Sequence, residues 1–565
     1  MKRLRWQLLL VFLALVAIGV LLLGQQPTVL QPDAPVAQPT SGGVYSEALI
    51  GEFGRLNPLL DNQNPADRDI NRLLFSGLIR FDDRGIPRSD LAESWGISKD
   101  GTIYNFSIRP QAIWHDGKPV TSEDVIFTVD LIRNQDFLFP EDIREMWNEI
   151  EVISLDEKTL QFILPEPYAP FLDYLTFGVV PQHLLNGMSP EEIIVSDFNL
   201  SPVGSGPFKF EELLSEDGDI TGVVLNRFDR YYQEPPFIEQ MVFYYFPNAE
   251  LALEAYRAGE LLGISKVNWE VLGDVLAEPD LNVYSGRLPQ QSLIYLNLND
   301  PDLPFFQDDA IRKALLMALN RQWLVDHIFN GQAFISDGPI LPGSWAYFNG
   351  IERVAYNPEN ALAIIKDAGY TVPAGGSDIR VKDDIPFEFE LIYPDTDIHS
   401  SMAMAVKDDW EKLGIRVNLR SMSYDELLKD HLETRNYDSA LVDIDLSQTP
   451  DPDPYPFWDQ AQISGGQNYS QWDDRQASEY IERARINFDL AEREKDYGNF
   501  QVRFTNELPA LPILYPVYSY AVDEQVQGVR MGPLFDTSER FATLNSWYLV
   551  AKRTLPTETA PVGSP

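Results

Sequence analysis

The sequence predicts an α/β protein of more than one lobe, with a small α+β body set into the first, and three observations carry that reading. A chain of 565 residues can bury more than one core. Between residues 290 and 513, strand-like and helix-like stretches alternate, the pattern of an α/β lobe with a parallel-biased sheet. Residues 91–133 read as strand, turn and helix in close succession.

In that last run Tyr104, Phe106 and Ile108 alternate with Asn105, Ser107 and Arg109, the period of a half-buried strand. Asp100-Gly101 turns the chain into it and Asp116-Gly117-Lys118-Pro119 turns it out. Thr121 with Asp124 three residues on is a capping box, and Val125, Val129 and Ile132 line one face of the helix it starts.

Before this run, residues 45–51 read as a first strand, 55–59 as a loop, and 69–78 as a helix ending at Gly77. After it, residues 159–164 form an alternating strand that Pro165, Pro167 and Pro170 break off. Gly204 and Gly206 mark a strand-entry turn; no Lys-Ser or Lys-Thr follows to make a phosphate cradle. Residues 251–259 read as a helix, and 292–297 as the strand entering the second lobe. The apolar face of Ile311, Leu315, Ala318, Leu319, Val325 and Ile328 predicts one helix over 308–330, stopped by Gly331. A helix opened by Asn357-Pro358, a strand over 385–393, a helix over 401–413 and a strand over 415–419 follow. Residues 507–513 are the return leg, and the last strands rejoin the first lobe.

Composition narrows the function. Hydrophobic residues make up 44% and aromatics 12%, the profile of a folded protein. A net charge of -42 excludes nucleic acid, whose phosphates need cations, and disfavours docking on anionic lipid. The absence of cysteine removes disulfides, thiolate metal sites and cysteine nucleophiles together. His115, His183, His327, His399 and His431 show no paired spacing for zinc or nickel, and no Gly-x-Ser-x-Gly elbow marks a serine nucleophile. Neither a cofactor, a metal nor an enzymatic activity is expected.

At the N-terminus, Lys2, Arg3 and Arg5 precede an uncharged apolar run over residues 8–24, a signal peptide or signal anchor. The run is near the roughly 17-residue lower limit for a spanning helix. No Ala-x-Ala site follows, which favours an uncleaved anchor. Residues 25–43 read as a Pro-rich tether and 553–565 as a disordered tail.

Three linked motifs, Leu91-Ala92-x-Ser94-Trp95, Asp100-Gly101-x-x-Tyr104-x-Phe106-x-Ile108-Arg109 and Trp114-His115-Asp116-Gly117-x-Pro119-Val120-Thr121-Ser122-x-Asp124-Val125, give the chain a recognisable signature. It resembles the extracytoplasmic solute-binding proteins of peptide- and nickel-type ABC importers, family 5, from about residue 45 to about 550. Many relatives carry a lipidated cysteine where this chain has Gln25. It departs again at Gly259-Glu260-Leu261-Leu262-Gly263, where the family pattern reads Gly-Glu-Ile-Asp.

The resemblance implies a two-lobed periplasmic-binding-protein-like fold with the ligand cleft between lobes. Lobe I is expected from residues 44–80, 181–289 and 514–552, the inserted subdomain from 81–180, and lobe II from 290–513. It implies capture of short peptides for an ABC permease and its ATPase, by a monomer outside the cytoplasm, held to the membrane through its N-terminal helix. An oligosaccharide ligand, or a tethered sensor or scaffold role, are the alternatives. Candidate ligand contacts are Phe53 and Asn57 from the first lobe, Trp345 and Tyr393 from the second, and Asp443, Asp445, Tyr455 and Trp458 around the acidic loop. Asn468 and Tyr469 resemble a cleft segment of the family. In peptide-binding members an aspartate near this loop holds the ligand's α-amino group, so Asp443, Asp445, Asp451 and Asp453 are all open to that role.

Overall fold

The strand Ala510–Asp523 ties the main sheet together. Its sequence, ALPILYPVYSYAVD, is nearly continuous in apolar residues, and it is buried along its length except at Pro516 and Val517. The first half pairs antiparallel with Gln290–Leu296, in the register Ser292 to Leu514 and Tyr295 to Ala510. The second half pairs with Leu281–Arg287 and with Gly263–Ile264. Partners change at Pro516, which has no N–H to donate and accepts from Leu288 through its carbonyl at 3.2 Å. The structure is a computed structural model that describes residues 39–550, apart from residues 138, 375, 377, 447–449 and 533. The expected anchor (1–24), residues 25–38 of the tether and the tail (553–565) lie outside the described residues. Among the described residues no helix is long and apolar enough to cross a membrane.

The sheet has 12 strands. On one side of Ala510–Asp523 the order continues through Gln290–Leu296, Ser439–Asp445, Glu388–Pro394 and Arg416–Met422; on the other through Gly263–Ile264, Val44–Ile50, Gln240–Phe246, Asp219–Arg227 and Phe208–Glu216. Period-2 alternation sorts the side chains: Ile294 and Leu296 enter one core, Leu293 and Tyr295 the core on the opposite face. The expected parallel bias holds for Glu388–Pro394, which is parallel to both its neighbours. It fails for Gln290–Leu296, which is antiparallel to both of its own. The sheet is mixed because Ser439–Asp445 and Ala510–Asp523 return antiparallel to the entering strand.

A separate antiparallel sheet of four strands, Ala92–Ile97, Ile103–Ile108, Thr159–Ile163 and Glu151–Asp156, packs under the helices Ser122–Arg133 and Glu141–Glu149. Tyr104, Phe106 and Ile108 are buried and Asn105 is exposed, as their alternation requires. The Thr121 capping box forms: Asp124 accepts from the Thr121 N–H at 2.8 Å, and its other oxygen accepts from the Gln182 N–H at 2.9 Å. One cap thus serves both the helix and the segment that follows the subdomain.

Three helices differ from expectation; the one expected over 401–413 is Asp397–Glu411, because Thr396 caps it through the His399 N–H at 3.2 Å. The helix expected over 308–330 is two, Asp309–Ala318 and Arg321–His327. Leu319 turns extended, and Asn320 caps the second helix through Trp323 N–H at 3.0 Å. The break lets Arg321 sit buried, donating to the carbonyls of Ser336, Pro512 and Val354. The helix expected over 69–78 is Pro65–Leu74, because Asn64 caps it and Pro65 takes its first position.

Gly204 and Gly206 enter the strand Phe208–Glu216 without a helix. A Cβ on either would overlap the carbonyl oxygens of Leu74 or Leu73. His115 spans this turn, accepting from Gly204 N–H through Nδ1 at 3.1 Å and donating from Nε2 to Gly206 O at 3.1 Å. Burial pushes its imidazole down to about 4, which keeps it neutral in that role.

Candidate functional site: a cleft between the subdomain and the acidic loop

A cavity of about 480 Å³ opens between the four-stranded subdomain and the second half of the main sheet. One wall is a face of the helix Glu141–Glu149, where Asp142, Ile143, Met146 and Glu149 recur at helical spacing. The strand end at Leu164, Pro165 and Glu166 continues this wall, with Tyr168, Asp173 and Tyr174. The facing wall comes from Pro289 and Gln291, the stretch Pro339 to Leu341, and two stretches of the acidic loop, Ile444 to Leu446 and Pro450 to Trp458.

The acidic loop is held by arginines from the helices Arg475–Ile486 and Leu490–Glu507. Asp451 is buried and pairs with Arg493 at 2.7 Å, and Arg493 lies over the rings of Trp345 and Tyr497. Asp453 pairs with Arg485 at 2.9 Å, and Arg485 lies over Tyr455 at 3.9 Å and over Tyr168 at 5.0 Å. The Asp451 N–H donates to Asp173 of the subdomain at 2.9 Å, so this loop also joins the two walls. Burial, reinforced by the Asp451 charge, lifts the Asp173 carboxyl well above the ordinary range. Burial also raises Asp453, with Arg485 opposing it, and pushes the Tyr174 phenol up to about 12.

Of the residues expected from sequence, Asp445 and Trp458 line this cavity, as do Asp451 and Asp453 of the acidic loop. Tyr455 lies between the lining residues Pro454 and Pro456, under Arg485. Asp443 faces elsewhere, accepting from Ser292 at 2.5 Å, with His399 Nε2 at 3.3 Å. Burial opposes its ionisation, but His399 and Ser292 outweigh that and hold its carboxyl below the usual value.

The other candidates are structural in their contacts. Asn57 is fully buried, donating to Asn199 at 2.9 Å and accepting from Leu59 N–H at 3.0 Å, which makes Asn57-Pro58 an Asx turn. Phe53 packs edge-on against Tyr245. Trp345 is buried between Arg493 and Tyr497, and Tyr393 is buried in the second-lobe core. Asn468 pins its loop through Asp459 O and Trp472 O, and Tyr469 packs on Tyr295 and Arg435.

Sequence reading missed the subdomain wall. The signal was available in EDIREMWNE, a short amphipathic helix whose only buried residue is Trp147. Its second, half-apolar face needed something to cover it. Among the described residues no group of histidines and carboxylates is placed to hold a metal ion.

Residues 87–467 match the family model described as bacterial extracellular solute-binding proteins, family 5 middle. The oligopeptide-binding protein AppA of Bacillus subtilis is 25% identical over 524 residues, covering 91% of this chain and 92% of its own. The dipeptide-binding protein of Escherichia coli is 25% identical over 474 residues, covering 79% and 84%. The solved structure of AppA in complex with a nonapeptide superposes with a TM-score of 0.65 at 24% identity, over 91% of this chain and 100% of that one. HbpA2 from Haemophilus parasuis superposes with a TM-score of 0.77 at 21% identity, over 90% and 100%.

Proposed function

The chain belongs to the bacterial extracellular solute-binding proteins of family 5, and from that premise we propose that it captures short peptides between its lobes and hands them to an ABC permease and its ATPase. The observation that carries this is the cavity of about 480 Å³, whose walls come from two separate bodies of the fold. Relatives that match most of its length are named for binding oligopeptides and dipeptides. We take lobe I to be residues 44–80, 181–289 and 514–552, lobe II to be 290–513 and the inserted subdomain to be 81–180; the shared strand crosses between lobes just past Leu514, which still pairs with Ser292. Their hinge runs through the links at Leu288-Pro289 and Pro516-Val517, where the shared strand changes partners. A ligand touching both walls favours the closed arrangement by its differential affinity, and the permease reads closure.

Asp445 and Trp458 are the ligand contacts this reading retains among the sequence candidates. Of the other aromatic candidates, Trp345 and Tyr393 are buried in the core and Tyr455 lies beneath Arg485, which leaves Trp458 as the one that lines the cavity. The protein acts by binding, as a monomer without a chemical step, and its apolar N-terminal run (8–24) holds it to the outer face of the membrane. Native mass spectrometry of gently purified protein, followed by denaturation, tests the ligand class. A ladder of short peptides supports the reading; hexose-spaced masses replace it with an oligosaccharide. Empty protein whose melting temperature neither peptide nor glycan pools shift leaves the tethered sensor or scaffold.

A further inference from the structure

The donor and acceptor inventory of the cavity is lopsided. Among the described residues seven carboxylates line it, from Asp142 to Asp453, against a single cationic side chain, Arg485. Arg485 is committed to Asp453 and Asp451 to Arg493, and Asp173 accepts from the Asp451 N–H while burial raises its carboxyl. Asp142, Glu149 and Glu166 are exposed and have no cationic partner among the described residues. Eight lining residues are prolines, four of them alternating at Pro450, Pro452, Pro454 and Pro456. A proline has no N–H, so these positions offer the cavity no backbone donor, although the carbonyls of Pro289, Pro454 and Pro456 already accept from Leu446, Trp458 and Gln467.

The buried Gln291 amide is already occupied, donating to Ser336 at 2.6 Å and to the Gly338 carbonyl at 2.9 Å. Ser344, which also lines the cavity, is 8% exposed and its Oγ has no hydrogen-bond partner among the described residues. A buried hydroxyl without a partner is costly unless an occupant supplies one. A ligand complementary to this cavity brings donors and positive charge, with apolar stems to lie along Ile143, Met146, Leu164 and Leu446.

Resting on the solute-capture reading above, we propose that the cleft selects cationic ligands, short peptides with lysine or arginine side chains, whose ammonium or guanidinium groups lie against Asp142, Glu149 and Glu166. These three carboxylates belong to one wall, so the charge is read by the subdomain while the proline-rich loop encloses the rest.

Titration calorimetry on the full-length chain tests this with tri-lysine, tri-alanine, tri-glutamate and spermidine, at low and high salt. Tri-lysine is expected to bind roughly tenfold tighter than tri-alanine at low salt, with the gap narrowing as salt rises. Tri-glutamate is expected to give no heat. The whole chain carries -42, which by itself would favour tri-lysine. The control is therefore the triple variant Asp142→Asn, Glu149→Gln, Glu166→Gln, which alters that charge little and touches exposed side chains only. It should lose the preference for tri-lysine and keep its affinity for tri-alanine. Equal binding of the three peptides, or a triple variant that still prefers tri-lysine, overturns the cationic selectivity and leaves peptide capture standing. Binding of spermidine without any peptide supports the selectivity and overturns the peptide reading. No binding of any probe overturns both.

Discussion

Replacing Asp61 by asparagine should make the protein more stable at pH 8 and change it much less at pH 5. The Asp61 side chain is 8% exposed and accepts from Asn71 at 2.8 Å. The nearest cation, Arg68, is 3.9 Å away, and its guanidinium is committed to Asp536 at 2.8 Å and to the carbonyls of Asp61 and Asn62. Burial outweighs these contacts and raises the Asp61 carboxyl from 3.8 to about 7. The folded state therefore binds a proton that the unfolded chain releases between roughly pH 4 and 7. Stability from this group is fully present below the unfolded value and is lost as pH rises through the folded one. At about 1.4 kcal/mol per pH unit, some three units set a ceiling of about 4 kcal/mol, and local relaxation leaves about 1 to 3 kcal/mol. The substituted asparagine side chain would keep an acceptor toward Asn71 and would not ionise. The assay is thermal unfolding of wild type and Asp61→Asn at pH 5 and pH 8, at roughly 1–2 °C per kcal/mol for a chain of this size. Because the net charge of -42 also destabilises the protein as pH rises, the informative quantity is the difference between the two proteins. A variant less stable than wild type at pH 8, or a gain of equal size at both pH values, refutes the reasoning.

Other expectations follow from buried contacts. Arg540 is fully buried, pairing with Glu47 at 2.6 Å and Asp69 at 2.7 Å, so Arg540→Met should lose about 3–5 kcal/mol. Adding Glu47→Gln should restore part of that in denaturation measurements. Arg493→Met strands Asp451 and frees the acidic loop; it should lower the melting temperature and weaken ligand binding, and a double-mutant cycle with Asp451→Asn should recover much of the stability. Gly204→Ala drives a Cβ into the Leu74 carbonyl, and a loss of about 3 kcal/mol or a failure to accumulate soluble protein is expected on expression.

Local physics is legible from the residues alone. The capping box of Thr121 and Asp124 and the alternation of Tyr104, Phe106 and Ile108 each depend on neighbours a few positions away, and each forms as its spacing demands, whereas the glycines at 204 and 206 are required by the distant carbonyls of Leu74 and Leu73. The family signature is likewise a run of adjacent residues. Where a side chain's fate depends on distant partners, the sequence is silent. The apolar face over 308–330 continues across Leu319 and Asn320, yet the helix breaks there because buried Arg321 reaches carbonyls at Ser336, Val354 and Pro512.

The same limit governs the cleft. Trp345, Tyr393 and Asn57 carry the chemistry of ligand contacts, and tertiary packing turned them inward, against Tyr497, the second-lobe core and Asn199. The aspartates at 451 and 453 are paired by arginines 42 and 32 residues away, a match no spacing rule expresses. The opposing wall comes from a helix in another body of the fold, Glu141–Glu149. Sequence by itself determined the elements and the family, because both are written in contacts between near neighbours. Only the tertiary structure decided which carboxylates were left facing the cavity, because that depends on which cations the fold had already brought to the others.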